Sequence, residues 1–232
     1  RLIRGSNRSG KAQPVDEPVL TPFGWRQIGS LAVGDLVIGG DGKPARVTGV
    51  FPQGVRRVFS VEFDDGASTR CCAEHLWKVK IGTQRFGEGR TSDGWSVVEL
   101  RQIVDRCGTE PPPHMRPVTP VAESWMPRRD VPLDPYLMGL LLGDGSFASG
   151  TIRFTTADSE MLDAVMSLRA AGHTLQQLSR YDHAISAGSE KKIHDTLRWY
   201  DLLGHKSYEK FVPDDYLFNS REVRLAVLQG LL

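Results

Sequence analysis

The sequence predicts a mixed fold, an all-β unit over roughly the first half and an α+β unit after it. Three observations carry this expectation. Residues 18–80 alternate short β-prone runs with turn signals every few positions, the pattern of a compact β body. The stretch Leu133 to Phe147 is largely apolar, opens with a good cap and closes in glycines, which marks a buried helix. Beyond it a strand pattern at 151–156 is followed by helical patterns at 159–171, 189–203 and 220–232.

The 232 residues allow one large or two small domains, and 40% apolar residues with 24 glycines suffice for a core. The apolar run Leu140 to Leu142 is far shorter than the ~18 residues a membrane span needs, so no membrane partner is expected. No apolar segment follows the basic N-terminus, which argues against a signal peptide. Cys71, Cys72 and Cys107 are odd in number and lack a CxxC pair. A disulfide framework or zinc knuckle is therefore not expected, and a reducing cytoplasm is. Net charge is +1, yet residues 1–11 hold Arg1, Arg4, Arg8 and Lys11 and no acid, while 131–232 hold ten basic and thirteen acidic residues. Nucleic-acid binding would need a local basic face.

Taken in order, the first element is Gly5-Ser6-Asn7-Arg8-Ser9-Gly10-Lys11, which fits the phosphate-cradling G-x-x-x-x-G-K loop. That loop requires Ser or Thr next and then a helix. Ala12 follows instead, and Pro14 and Pro18 forbid the helix. The segment reads either as a basic tail or as another protein's loop interrupted after Lys11. Short strands follow: Val33 to Ile38, Arg46 to Val50, Arg57 to Phe63, and a longer segment from Ala67 to Lys80. Asp64-Asp65-Gly66 is a hairpin turn, because Asp-Gly tolerates positive φ.

Thr21-Pro22-Phe23-Gly24-Trp25, with Ile28, Leu31 and Val33-Gly34-Asp35, resembles the first sequence block of inteins, the Hint fold of protein splicing. Phe63 through Cys72-Ala73-Glu74-His75-Leu76-Trp77 resembles the second block, where a Thr-x-x-His pair usually stands. The resemblance implies an all-β, horseshoe-like splicing domain that breaks the Lys11–Ala12 bond. His75 would protonate the departing nitrogen, since imidazole titrates near neutrality. Ala12 lacks the usual nucleophile, position 72 is Cys, and Trp77 follows the His by two residues. All three features resemble class 3 inteins, in which a later Cys attacks the junction to form a thioester branch. Cys72, Trp77 and Asp35 are the splicing-associated residues, and no cofactor is implied for splicing. The partner would be the intein's own flanking host sequence. Gly5, Gly10 and Lys11 would then be the host phosphate loop, which resembles that of a phage terminase large subunit. The missing hydroxyl residue would resume after the intein.

Residues 81–130 read as a Gly-, Pro- and Arg-rich linker with a modest helix at 96–107, in which Cys107 is a structural thiol. In Leu133 to Phe147, Asp134 is an N-cap and Pro135 an N1 residue, while Gly139 and Gly143 leave a groove for a second helix. Leu137 to Gly145 resembles the LAGLIDADG motif of homing endonucleases, with Asp144 at its catalytic acidic position. The resemblance implies double-stranded DNA as substrate and Mg²⁺ held by Asp144 and a second helix-tip acid. The block at Lys210 to Leu217 resembles the one carrying that family's active-site lysine, here Lys210. Ser220 to Leu232 resembles the second motif helix, with Gly230 in its packing face, and ends where the second acid is expected.

The expected organisation is host residues 1–11, an incomplete Hint domain at 12–125, and an incomplete endonuclease domain at 126–232. As a fragment the chain is expected to neither splice nor cut. Two other readings stand beside this one. One is a Hint autoprocessing module whose nuclease has decayed into a DNA-binding insert. The other is a P-loop ATPase fragment, which Ala12, Pro14 and Pro18 oppose.

Overall fold

The structure, a computed structural model, describes residues 12–80, 94–148, 151–168, 174–186 and 192–232. The chain divides into two compact units, Arg1–Trp125 and Met126–Leu232. Among the described residues no helix is long and apolar enough to cross a membrane.

The first unit is built from antiparallel pairs. β1 (Pro18–Thr21) pairs with β2 (Gly24–Gln27), β3 (Leu36–Ile38) with β4 (Pro44–Arg46), and β5 (Phe59–Glu62) with β6 (Ser68–Cys71). β7 (Leu76–Val79) pairs with β8 (Ser96–Glu99). The β5–β6 turn is the expected one: Gly66 has φ +85° and the Asp65 carboxylate accepts the Ala67 N–H at 2.9 Å. The segment expected as one strand from 67 to 80 is two, broken at Cys72–His75, where the His75 N–H closes a turn on the Cys72 carbonyl at 3.1 Å.

A second departure concerns the linker. Residues 96–99 form a strand, and the helix α1 spans only Leu100–Cys107. Val97 and Val98 favour the pleat and lie opposite Lys78 and Trp77, while a capping box between Glu99 and Gln102 starts the helix after them. Cys107 packs with Val79 and Val98 in a small apolar cluster, with Trp77 and Ile103 against it. This part of the supposed linker is therefore core.

The second unit places α2 (Pro135–Gly143) in the middle of its apolar core. Leu137 through Leu142 are all buried, as a helix apolar on every side must be. The Asp134 carboxylate caps it by accepting the N–H groups of Tyr136 and Leu137 at 2.9 and 3.1 Å. A four-stranded antiparallel sheet has the order β11 (Thr174–Gln177), β12 (Asp182–Ser186), β10 (Ile152–Thr155), β9 (Gly145–Ser146). Phe154 and Ile185 of this sheet are buried, while Arg153 and Thr155 alternate outward. Helices α3 (Ser159–Leu168), α4 (Lys192–Trp199), α5 (Asp214–Leu217) and α6 (Arg221–Leu231) complete the unit.

Candidate functional site

In the first unit the turn between β6 and β7 collects four of the sequence-singled residues. Ala12 and Cys72 meet twice: the Ala12 N–H donates to Cys72 Sγ at 3.2 Å, and the Cys72 N–H donates to the Ala12 carbonyl at 2.9 Å. His75 follows on the same turn, half-buried, with its ring edge-on to Trp77 at 5.8 Å. The His75 carbonyl accepts the Leu100 N–H at 2.9 Å, so the head of α1 braces the turn from behind. Cys72 is 1% exposed, and its thiol hydrogen-bonds the Glu74 carboxylate. The backbone N–H of Glu74 and then that thiol hold this carboxyl below the usual range. Burial pushes the neighbouring Cys71 thiol up, against a hydrogen bond from Trp77. Cys71 therefore does not sit in a setting that favours its thiolate.

The residues ahead of β1 are tied down by a group that the sequence reading missed. Glu17 is 3% exposed, and its carboxylate accepts Thr69 Oγ1 at 2.7 Å, the Arg70 N–H at 2.8 Å and Arg70 Nε at 3.0 Å. Burial opposes its charge, but these hydrogen bonds prevail and hold the carboxyl below its ordinary value. Gln13 Nε2 donates to the same Thr69 hydroxyl at 3.2 Å. The partners lie more than fifty positions apart in sequence, so no local pattern could have announced them. Asp35 is different in kind. Its carboxylate accepts the Ala32 N–H at 3.0 Å and Arg26 at 3.1 Å, which shapes the turn ahead of β3, so a structural role accounts for it. Gly5, Gly10 and Lys11 lie outside the described residues.

In the second unit α2 and α6 cross in close contact. A Cβ on Gly139 would strike the Val227 carbonyl oxygen and stand 2.9 Å from Gly230 Cα; one on Gly230 would strike the Tyr136 carbonyl oxygen. Gly143 faces Leu231 with more room, at 3.3 Å from its carbonyl oxygen. The small residues thus let two helix backbones touch. Asp144 caps α2 and is exposed at its tip. Gly145 is buried beneath it, where a Cβ would strike the Leu141 carbonyl oxygen. Lys210 reaches this end of the helix: its ammonium donates to the carbonyls of Leu141, Leu142 and Gly145 and lies 4.6 Å from the Phe147 ring centre. Burial pulls the Lys210 pKa down, and the nearby Asp144 charge opposes that. A cation at a helix C-terminus meets the negative end of the dipole and the unpaired carbonyls. Asp144 and Lys210 thus meet at the C-terminal end of α2, where Lys210 acts as a cap, a part that the sequence reading did not give it.

No family model matches the chain. It is 30% identical over 236 residues to the replicative DNA helicase DnaB of Mycobacterium intracellulare, a match covering 96% of this chain and 37% of that protein. The replicative DNA helicase DnaB of Mycobacterium leprae (strain TN) is 36% identical over 82 residues, covering 35% of this chain and 14% of that protein. The chain therefore spans little more than a third of the longer-matching relative. Among solved structures, the Msm DnaB1 intein splicing domain bound with zinc is 34% identical, covering 38% of this chain and 74% of that one, with a TM-score of 0.29. The MchDnaB-1 intein (N145AA) is 33% identical, covering 38% and 73%, with a TM-score of 0.30.

Proposed function

We propose that this chain belongs to a self-splicing intein that interrupts a P-loop at Lys11–Ala12 and carries a LAGLIDADG-type homing endonuclease. The observation that carries the splicing half is the double hydrogen bond between Ala12 and Cys72, which seats Ala12 on the turn bearing His75. In the proposed reaction a downstream Cys attacks the Lys11 carbonyl carbon, the C–N bond breaks, and the Ala12 nitrogen takes a proton. A half-buried imidazole one turn away is the natural donor, so His75 has that role. The host sequence resembles a terminase loop, but the likeness to two replicative helicases favours a helicase as the interrupted protein.

The endonuclease half rests on the glycine-lined crossing of α2 and α6, with Asp144 at the tip and Lys210 beside it. The substrate would be double-stranded DNA, with Arg153 on the outward face of β10. Among the described residues no group of three or more His, Cys, Asp or Glu forms a metal cage. Mg²⁺ binds one or two carboxylates and completes its shell with waters and substrate phosphates, and Asp144 is the exposed oxygen donor that would hold it. The ion would stabilise charge on the phosphate under attack. Lys210 would hold the tip carbonyls in place and add positive charge there.

The test uses the complete gene product. Wild type should yield ligated host protein and free intein by mass spectrometry, and His75→Ala should slow scission at Lys11–Ala12 by about a hundredfold or more. Asp144→Asn should abolish DNA cleavage and leave splicing unchanged. Absence of wild-type scission at Lys11–Ala12 refutes the splicing reading. Cleavage retained in Asp144→Asn refutes the role given to Asp144, and absence of cleavage by wild type refutes the endonuclease assignment and favours an insert that only binds DNA.

A further inference from the structure

We infer that Glu17 is a positioning residue for the scissile peptide, holding Ala12 on Cys72 through the Thr69–Arg70 edge of β6. The inference rests on the splicing reading above, since only that reading makes Lys11–Ala12 the bond to be cut.

Pro14 interrupts segment 12–17 and Pro18 follows it, and none of its residues lies in a β ladder. The segment turns at residues 15–16, where the Glu17 N–H donates to the Pro14 carbonyl at 3.0 Å, and the N–H groups of Gly29 and Ile28 donate to the carbonyls of Val15 and Glu17 at 2.7 and 2.9 Å. Bond scission requires the carbonyl and the nitrogen of the junction in one orientation. These backbone bonds tie the segment to the turn following β2, and side chains add the tie to β6. Glu17 presents both oxygens to β6, one to Thr69 Oγ1 and the Arg70 N–H and the other to Arg70 Nε. Gln13 grips the same Thr69 hydroxyl from nearer the junction. Asp16 adds an ion pair to Arg70 at 2.8 Å, but on the exposed side. One residue beyond Cys71, the end of β6, stands Cys72, whose N–H and Sγ bind Ala12. Both ends of the segment are therefore fastened to one continuous stretch, Thr69 to Cys72. Glu17 is the buried end, where a carboxylate needs all of its partners and cannot slide.

A structural anchor alone would affect stability and nothing else, so the test reads the junction directly. In the 232-residue chain, Glu17→Ala should move the Ala12 amide proton resonance towards its unstructured value as the N–H···S bond is lost in molecules that remain folded. Glu17→Gln, which keeps an acceptor for Thr69 and the Arg70 N–H, should restore most of that shift. Thr69→Val, which removes one hydrogen bond to Glu17 and the anchor of Gln13, should give an intermediate shift should Glu17→Ala not fold. In the complete gene product Glu17→Ala should slow scission at Lys11–Ala12 by about tenfold or more, with Glu17→Gln closer to wild type. An Ala12 resonance unmoved in both Glu17→Ala and Thr69→Val overturns the inference, as does a moved resonance with an unchanged scission rate. Failure of wild type itself to break Lys11–Ala12 overturns it through the splicing reading, an outcome distinguishable because it needs no variant.

Discussion

Replacing Gly139 with Ala perturbs the α2–α6 crossing at its tightest point. The added Cβ would overlap the Val227 carbonyl oxygen, with Gly230 Cα at 2.9 Å and the Val227 carbonyl carbon at 3.0 Å. Carbon contacts rest at ~3.5–4.0 Å, and every one of these neighbours is backbone, so no side chain can rotate away. The helices must part. Overpacking of this kind costs about 1–3 kcal/mol, here near the upper end, while Ala recovers about 0.8–1.0 kcal/mol of helix propensity over Gly. The net expectation is a loss of about 2 kcal/mol, equivalent to roughly 10 °C for a unit of this size. Gly143→Ala is the internal control, because its Cβ would meet Leu231 only at 3.3 and 3.5 Å; its effect should lie within about 0.5 kcal/mol of zero. Urea unfolding followed by hydrogen exchange in the peptide spanning 133–147 isolates this unit from the other. Equal effects of the two substitutions, or a stabilised Gly139→Ala, would refute the argument that glycine permits the contact.

Lys210→Met removes a cation that holds three carbonyls at the end of α2 and should destabilise the second unit by about 2 kcal/mol, measured by the same exchange experiment; an unchanged midpoint would deny the cap. Glu17 has a folded pKa below its ordinary 4.5, so its contribution is complete above pH 4.5 and vanishes as pH falls through the lower folded value. The stability difference between wild type and Glu17→Ala in the first unit should therefore be constant near neutrality and close in acid, and a gap that widens on acidification would contradict the assigned network.

Much of the second unit was legible because its signals are local. Asp134, Pro135 and the glycines of α2 lie within one helix, and caps and small-residue spacing act over three or four positions. The first unit was less so. Ser96 to Glu99 carries apolar residues that also suit a helix face, and only pairing with Leu76–Val79 makes it a strand. Tertiary context overrides a weak propensity in this way. Lys210 could be matched to a family block, yet its contact with the Leu141 and Leu142 carbonyls spans almost seventy positions and could not be read from the block itself.

Composition, turn residues and block spacing by themselves determined that the chain holds a β unit and an α+β unit, and which side chains deserved attention. Only the tertiary structure decided that Ala12 rests on Cys72, that a buried Glu17 fastens the approach to it, and that Gly139 and Gly230 meet backbone to backbone. The physical reason is range. Capping, turn formation and periodicity depend on neighbours a few residues away, whereas a buried carboxylate or a helix crossing gains its meaning from partners that the chain supplies only after it has folded back upon itself.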